Sequence, residues 1–222
     1  MYVICENGPY EQQGDTASTG RMVSLVFQPK AMRWRGVPVL TNTPPRRAQR
    51  APGGMQGLGV FEPLLSKAAD QLGIDQLQIR RINAPAGRAP FGPPNAAGKQ
   101  AQTTSAYVRE ALDKGAELFK WDERKARTGK PNGTKVRGVG VAVSTFVAGS
   151  TGYDGLFVIK PDGKMYINTG VGNLGTESYA DTMRVAAEMM GMPWEKVVLT
   201  WGNTANNLPW SCVSGGSQTI HA

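Results

Sequence analysis

Glycine and proline recur along the whole chain and restrict it to short elements joined by many turns. The 222 residues include 28 glycines and 15 prolines, which are spread along the sequence and not gathered in one tract. Glycine permits positive φ and close backbone approach, whereas proline removes a backbone donor and fixes φ. The pattern therefore disfavours a helical bundle and predicts a globular chain of one large or two small domains.

The first lobe, residues 1–85, is predicted to combine strands with two helices. Residues 1–43 show no helical period, and the runs VSLVF and VPVLTN predict short strands. A helix is predicted to begin at Pro63 and to stop at Gly73 in the left-handed conformation. A second helix follows at once, capped by Asp75.

The second lobe, residues 133–222, follows a Pro/Gly-rich linker and a connecting helix over residues 86–132. VRGVGVAVST predicts a strand, and YDGLFVIKPDGKMYINTG predicts a hairpin that turns at Pro161–Gly163. A helix is predicted from Ser178, capped with Asp181, and KVVLTW predicts one more strand. The expected fold class is α+β, with two partial lobes of mixed sheets and packed helices.

Basic residues are concentrated in the stretch Thr16–Phe61, which holds no acidic residue. The chain has 25 Lys and Arg against 17 Asp and Glu, a formal net charge of +8. A solvated surface with a local phosphate contact is the favoured interpretation, and nucleic-acid binding stays open as an alternative. The basic residues of the stretch are Arg21, Lys30, Arg33, Arg35, Arg46, Arg47 and Arg50.

Cysteine and histidine are too few and too scattered for a metal centre ligated by the protein. Cys5 and Cys212 are far apart, and His221 is the single histidine. Zinc and iron–sulfur sites need clustered ligands, so no metal-ligating residue is predicted. The N-terminus lacks a signal-peptide pattern, and no run of about 18 apolar residues occurs, so a cytoplasmic location is expected.

Three glycine-rich loops are candidate ligand-binding segments: Arg50–Gly59, Gly170–Ser178 and Ser211–Thr219. Glycine lets the backbone approach a ligand closely, and N–H groups at a helix N-terminus attract phosphate. Convergence of the three loops would suit a large polyphosphate cofactor. Each loop taken singly is more often a plain connection between a strand and a helix.

The second loop also has the spacing of a dinucleotide-binding fingerprint, with Gly170, Gly172 and Gly175 as its glycines. Such a site needs an acidic residue at the end of the next parallel strand, whereas KVVLTW is followed by Gly202 and Asn203. The element before the loop is moreover predicted as a hairpin strand. We therefore reject a dinucleotide site, and the sequence shows no nucleophile–base arrangement.

Two long runs carry motifs in an order that is typical of one enzyme family. VLTNTPPRRAQRAPGGMQGLG has a Thr-Asn strand, an Arg-Ala-x-Gly loop and a Gln, and the helix that closes the segment fits G-I-D-P-x-x-x-R-x-x-N through Gly73–Asp75, Arg80 or Arg81, and Asn83. INTGVGNLGTESYADTMRVAAEMMG and the residues after it give a glycine loop, a helix with Ala-Ala-Glu, a strand and a G-G-S loop. From about residue 36 onward the chain thus resembles the large, molybdopterin-binding subunit of molybdenum hydroxylases of the xanthine dehydrogenase/aldehyde oxidase family.

This resemblance implies that the chain supplies walls for a molybdenum-pterin cofactor, with a dinucleotide form left open. In that family the pterin dithiolene ligates molybdenum, so no metal ligand is expected from the protein. Arg50 would lie near the metal end, and small residues would bind the pterin through backbone and hydroxyl groups. The implied cofactor-binding residues are Arg50, Gly53, Gly54, Gln56, Gly175, Thr176, Gly215, Gly216, Ser217, Gln218 and Thr219.

The chain departs from the family pattern at positions that bear on substrate and catalysis. Thr176 and Glu177 stand where many members have G-Q-G, so one amide hydrogen bond to the pterin is altered. Pro52 replaces an aromatic residue that stacks on purine substrates, which disfavours a purine. The general-base glutamate of the family would lie beyond Ala222, and neither Glu177 nor Glu188 matches it, so no catalytic residue is predicted.

The implied chemistry is hydroxylation of an aldehyde or N-heteroaromatic carbon with oxygen derived from water. Electrons would leave through iron–sulfur and FAD centres, so the expected partners are the remaining parts of the large subunit, an iron–sulfur subunit and a flavin subunit. Because both termini fall within unfinished elements, the chain is expected to be an internal fragment that does not catalyse alone. The alternatives are a split-gene subunit and a non-catalytic basic module that binds nucleic acid or another anionic partner.

Overall fold

The computed structural model describes residues 1–10, 15–45, 50–147, 154–172, 175–206, 208–211 and 215–217. The chain forms two compact units, Met1–Phe146 and Val147–Ala222. Helices alternate with small sheets that contain both parallel and antiparallel pairs, which confirms the predicted α+β class. No helix in the described ranges is long and apolar enough to cross a membrane.

The first unit begins with two parallel strands joined by a helical crossover. Strands β1 (Tyr2–Glu6) and β2 (Arg35–Val39) pair from Tyr2↔Arg35 to Glu6↔Val39, and helix α1 (Asp15–Val26) connects them. The prediction of extended structure over residues 1–43 is therefore confirmed at β1 and at the start of VPVLTN in β2, and is wrong over α1, where most of VSLVF is helical. Parallel strands need a long crossover, and packing of Val23 and Val26 in the core outweighs their β preference.

Helix α2 (Gly54–Leu72) begins nine residues before the predicted start, so Pro63 lies inside it and not at its first position. An interior proline costs a helix about 3 kcal/mol in isolation. The first turns are nevertheless helical because Leu58 packs in the core with Phe27, whose ring lies 5.1 Å from that of Phe61. The predicted stop is confirmed, since Gly73 has φ 66 and closes the helix in the left-handed region.

A buried ion pair joins α2 to helix α3 (Gln76–Asn83). Arg80 is 1% exposed and donates from Nε to Glu62 Oε2 at 2.8 Å, from Nη1 to the Gln76 carbonyl at 2.7 Å and from Nη2 to Ser66 Oγ at 2.9 Å. The second oxygen of Glu62 accepts from the Val143 N–H at 2.9 Å. Of the two arginines that fit the family motif, Arg80 is thus the buried structural one.

The predicted linker and connecting helix over residues 86–132 lie inside the first unit. A short hairpin there is held to α1, because Gln28 Nε2 donates to the Pro90 carbonyl at 2.6 Å and Gly92 N donates to Ser24 Oγ at 2.8 Å. The lobe limits 1–85, 86–132 and 133–222 stay a prediction. The remaining elements of this unit are β3 (Pro90–Phe91), β4 (Ala101–Gln102), α4 (Val108–Phe119), α5 (Trp121–Lys125), β5 (Pro131–Asn132) and β6 (Lys135–Val136).

The strand predicted over VRGVGVAVST is wrong except at its first residue. Only Val136 belongs to a strand, and residues 137–147 have no regular structure. A strand needs a neighbour that takes its backbone hydrogen bonds. In this segment the N–H of Val143 is instead bonded to the Glu62 carboxylate.

Asp75 caps α3, as predicted, and also ties α5 to that helix. Its Oδ1 accepts from the backbone N–H of Leu77 at 2.7 Å and of Gln78 at 3.2 Å, while Oδ2 accepts from Trp121 Nε1 at 3.3 Å and from the Lys125 ammonium. Partial burial raises the pKa of Asp75, but these hydrogen bonds together hold that pKa below the ordinary 3.8.

Replacing Asp75 by alanine is expected to lower the free energy of unfolding by about 1 kcal/mol at neutral pH, because a helix cap and its contacts to α5 are lost. Since the pKa of the carboxyl is lowered in the folded chain, its contribution is present above pH 3.8 and is lost as the pH falls further. Urea unfolding at pH 7 and pH 3 measures both effects. A difference between wild type and variant that persisted unchanged at low pH would contradict this assignment.

The second unit is a three-stranded sheet covered by one helix. Strand β7 (Gly155–Ile159) pairs antiparallel with β8 (Met165–Thr169), and β8 pairs parallel with β9 (Val197–Trp201) through helix α6 (Ser178–Met189). The predicted hairpin, helix and last strand are confirmed. Met165, Ile167, Ala187 and Val197 form the core between sheet and helix.

Candidate functional site

The candidate site of the second unit lies at the carboxyl ends of β8 and β9. Because these strands are parallel, the chain segments that leave them meet at one edge of the sheet, which is where open α/β sheets bind ligands. A Cβ added at Gly170 would lie 2.9 Å from Ser211 Oγ and 3.3 Å from the Pro209 carbonyl oxygen. The second glycine loop therefore packs directly on the segment that leads into the third.

The loop between β8 and α6 leaves open space at Gly175, near the start of the helix. Gly175 has φ 81, is exposed, and would carry a Cβ with no atom within 4 Å. Thr176 Oγ1 lies 3.0 Å from Ser178 Oγ. Glu177 occupies the N-cap position of α6 without a side-chain cap bond, so the predicted capping by Ser178 and Asp181 is wrong: Ser178 is the first helical residue.

The third loop is described only in part. Gly216, with φ 59, and Ser217, with φ 61, lie in a turn that follows Gly215. A Cβ at Gly215 would meet no atom within 4 Å. The predicted residues Gln218 and Thr219 lie outside the described residues.

The candidate residues of the first unit surround the N-terminus of α2. Gly53 is its N-cap with φ 76 and offers no side chain, while the Ala51 carbonyl accepts from the N–H groups of Gly54 at 2.9 Å and of Met55 at 3.1 Å. Arg50 and Gln56 are exposed. Gly54 is buried, and a Cβ on it would lie 2.9 Å from Met22 Cγ. Packing of α2 on α1 therefore accounts for one of the predicted cofactor-binding glycines.

Strained backbone is concentrated in these three loops. Among the described residues, four that are not glycine have positive φ: Ala51 at 42°, Lys120 at 57°, Glu177 at 57° and Ser217 at 61°. Each glycine loop contains one of them. The left-handed conformation costs an ordinary L-residue roughly 1–2 kcal/mol, and such strain is most often retained at ligand-binding sites. Sequence patterns do not reveal this feature, because the residues involved are not glycine.

Replacing Glu177 by asparagine is expected to raise the free energy of unfolding by roughly 0.5–1 kcal/mol. Asparagine adopts positive φ far more readily than glutamate, and relief of the strain exceeds the roughly 0.3–1 kcal/mol of attraction between the carboxylate and the helix N-terminus. Thermal unfolding of the chain measures the change. The matched variant Glu177→Ala loses the charge but keeps the strain and should not gain stability; equal gains in both variants would refute the explanation.

The loops fit a pterin cofactor by the chemistry of the groups that they present. The N-terminus of α6, at Glu177, has no side-chain cap and can present backbone N–H groups, whereas at the start of α2 the N–H groups of Gly54 and Met55 already donate to the Ala51 carbonyl. Thr176 and Ser217 carry hydroxyl groups, and Gly175 is exposed with open space at its Cβ position. The described residues contain no group of three or more His, Cys, Asp or Glu that could hold a metal ion.

The basic stretch of the sequence is partly occupied by contacts to aromatic rings. The Arg21 guanidinium lies 5.2 Å from the ring centre of Phe91, and that of Arg35 lies 5.6 Å from that of Tyr2. Both arginines therefore make local cation–π contacts within the chain. Arg46 and Arg47 lie outside the described residues.

Comparison with known families assigns both parts of the chain. Residues 1–84 match one molybdopterin cofactor-binding domain family, and residues 114–222 match a second family of the same description. A putative xanthine dehydrogenase molybdenum-binding subunit of Escherichia coli K12 is 29% identical over 86% of this chain and 26% of its own length. An aldehyde oxidoreductase molybdenum-binding subunit of Escherichia coli O157:H7 is 31% identical over 91% of this chain and 27% of its own length.

Solved structures show the same fold. An aldehyde oxidoreductase from Desulfovibrio gigas superposes with a TM-score of 0.78 at 24% identity, over 98% of this chain and 24% of that one. A carbon monoxide dehydrogenase from Oligotropha carboxidovorans gives a TM-score of 0.63 at 15% identity, over 97% of this chain and 30% of that one.

The two family matches place the chain in the molybdopterin cofactor-binding class. The chain belongs to these molybdopterin cofactor-binding domain families, and its sequence is similar to the molybdenum-binding subunits of xanthine dehydrogenase and aldehyde oxidoreductase. It spans about a quarter of the length of the curated relatives that it matches. None of these matches supports the nucleic-acid-binding alternative.

Proposed function

We propose that this chain forms walls of the cofactor site in a molybdenum-dependent oxidoreductase that hydroxylates an aldehyde or N-heteroaromatic carbon with water-derived oxygen. The observation that carries the proposal is the strained residue in each glycine loop, at Ala51, Glu177 and Ser217, within domains of molybdopterin-binding families. Strain is tolerated where the backbone has to present donors to a ligand.

The proposed roles follow from what each loop offers. Backbone N–H groups at the start of α6 would donate to oxygen atoms of the pterin and its phosphate, and the positive end of the α2 dipole, beside Gly53 and Gly54, would attract the phosphate. The side chains of Arg50 and Gln56 are exposed beside the first of these. The bound cofactor supplies the redox chemistry of molybdenum. The proposed binding residues are Arg50, Gly53, Gly54, Gln56, Gly175, Thr176, Gly215, Gly216, Ser217, Gln218 and Thr219.

Pro52 supports a substrate that is not a purine, because it offers no aromatic ring for stacking at that position. The proposed partners are the remaining parts of the large subunit, an iron–sulfur subunit and a flavin subunit, since the relatives are named as molybdenum-binding subunits. The domain limits 1–85 and 133–222, with the connection over 86–132, belong to the same proposal, and the cytoplasmic location stays a prediction.

The proposal is tested by measuring molybdenum and pterin after the chain is produced in a host that makes the cofactor, alone and together with the remaining parts of the subunit. Molybdenum and pterin retained in the joint sample support the proposal. A folded joint sample that contains neither molybdenum nor pterin contradicts it.

Two matched variants locate the site. Gly175 and Gly163 both have positive φ and open space at Cβ, so leucine strains both equally. Only Gly175→Leu should lose the pterin.

A further inference from the structure

We propose that Trp201 is an aromatic shelf on which the flat ring system of the pterin stacks. The inference rests on the proposed function, because it adds a binding residue to the same site. Trp201 is the last residue of β9 and pairs with Thr169, the residue before the glycine loop of the second unit. Its indole therefore stands at the sheet edge from which that loop leaves.

One ring face of Trp201 is packed against the ring of Tyr179, which fixes the orientation of the indole. The ring of Tyr179, in the first turn of α6, stacks on it with centroids 4.9 Å apart and an angle of 12° between the planes. The Tyr179 hydroxyl in turn donates to the Val171 carbonyl at 3.3 Å, inside the glycine loop. The shelf and the loop are thus fixed to each other, so a ligand that binds one meets the other in a set position.

Trp201 is 51% exposed even though Tyr179 stacks on one of its ring faces, so much of the indole is accessible to a ligand. The stacked pair of Tyr179 and Trp201 presents a rigid aromatic surface beside the glycine loop, and such a surface can stack on a further flat ring. The occupant that this site implies is flat and heteroaromatic, because its domain belongs to a molybdopterin-binding family. Stacking of a heteroaromatic ring on an indole is tolerant of ring chemistry and adds to hydrogen bonds from the loop.

Trp194 is another exposed tryptophan of this unit, but it lies away from the glycine loop and contacts an arginine in place of a stacked tyrosine. Trp194 is 38% exposed, but the Arg184 guanidinium lies 5.4 Å from its ring centre and occupies one face. It follows α6, at the amino end of β9, whereas Trp201 closes that strand. Trp194 is therefore the matched control, an exposed indole of the same unit at the end of β9 remote from the glycine loop.

The test compares retained pterin in Trp201→Leu, Trp201→Phe and Trp194→Leu. Each variant is produced with the remaining parts of the subunit in a host that makes the cofactor. Pterin per chain is measured by fluorescence after oxidation, and thermal unfolding reports folding. We expect Trp201→Leu to lower retained pterin about tenfold, because leucine keeps the apolar contact and loses the stacking surface. Trp201→Phe should keep most of the pterin, and Trp194→Leu should match wild type.

Two results would overturn the shelf: full retention of pterin by Trp201→Leu, or equal losses in Trp201→Leu and Trp194→Leu. If Trp201→Leu unfolds, the Phe variant decides, and a folded Phe variant that loses the pterin also rejects stacking. Failure of the proposed function is distinguishable, because wild type itself would then retain no pterin.

Discussion

Replacing Glu62 by alanine is expected to lower the free energy of unfolding by about 3–5 kcal/mol, because the buried Arg80 guanidinium would lose its counter-charge. The two side chains are 8% and 1% exposed, so water does not replace the lost partner. The variant also frees the Val143 N–H, which Glu62 Oε1 accepts at 2.9 Å. Urea unfolding followed by circular dichroism measures the loss.

The neighbouring pair provides the control within the same helix. Arg81 bonds to Asp113 with side chains that are 37% and 44% exposed, so Asp113→Ala should change the free energy of unfolding by no more than about 1 kcal/mol. Replacing both buried partners, as Glu62→Leu with Arg80→Met, should restore much of the stability, because no uncompensated charge remains. Similar losses in Asp113→Ala and Glu62→Ala would contradict the assignment of burial as the cause.

Local signals in the sequence predict the elements whose ends are fixed by nearby residues. The hairpin turn at Pro161–Gly163 is an example, because Gly163 has φ 74 and Asp162 Oδ1 accepts from Lys164 N at 3.0 Å. The end of α2 at Gly73 and the cap of α3 at Asp75 are further examples. In each case the residue type and the required conformation coincide.

Elements that depend on distant packing are not predictable from local pattern. Helix α1 contains the β-branched residues Val23 and Val26, around which the local pattern predicts a strand, but the packing of these residues on Leu58 of α2 decides for a helix. Helix α2 extends nine residues before Pro63 for the same reason. At the candidate site, glycine loops are visible in the sequence, but the positive φ of Ala51 and the stacking of Tyr179 on Trp201 depend on the folded chain.

Two glycines of α2 are expected to respond to alanine in opposite directions. A Cβ at Gly57 would lie 2.9 Å from the Thr19 carbonyl oxygen and 3.1 Å from its Cα, which are backbone atoms of α1. The two helices would have to separate, so Gly57→Ala should lower the free energy of unfolding by about 1–3 kcal/mol. Gly59 has no atom within 4 Å of a Cβ, and alanine there should add about 0.5–1 kcal/mol through helix propensity.

This pair separates packing from ligand binding in the first glycine loop. If Gly57 serves close contact between α1 and α2, the loss of stability appears in the chain without cofactor, and it is measured by thermal unfolding. A Gly57→Ala variant as stable as wild type, with pterin lost on assembly, would instead assign Gly57 to the ligand. Gly59→Ala is the reference variant, because its added methyl group makes no new contact. An increase in its free energy of unfolding would show the effect of helix propensity alone, with which the Gly57→Ala value is compared. The role of each glycine in a predicted cofactor-binding loop therefore has to be tested separately, because glycines two residues apart in the same helix differ in their packing.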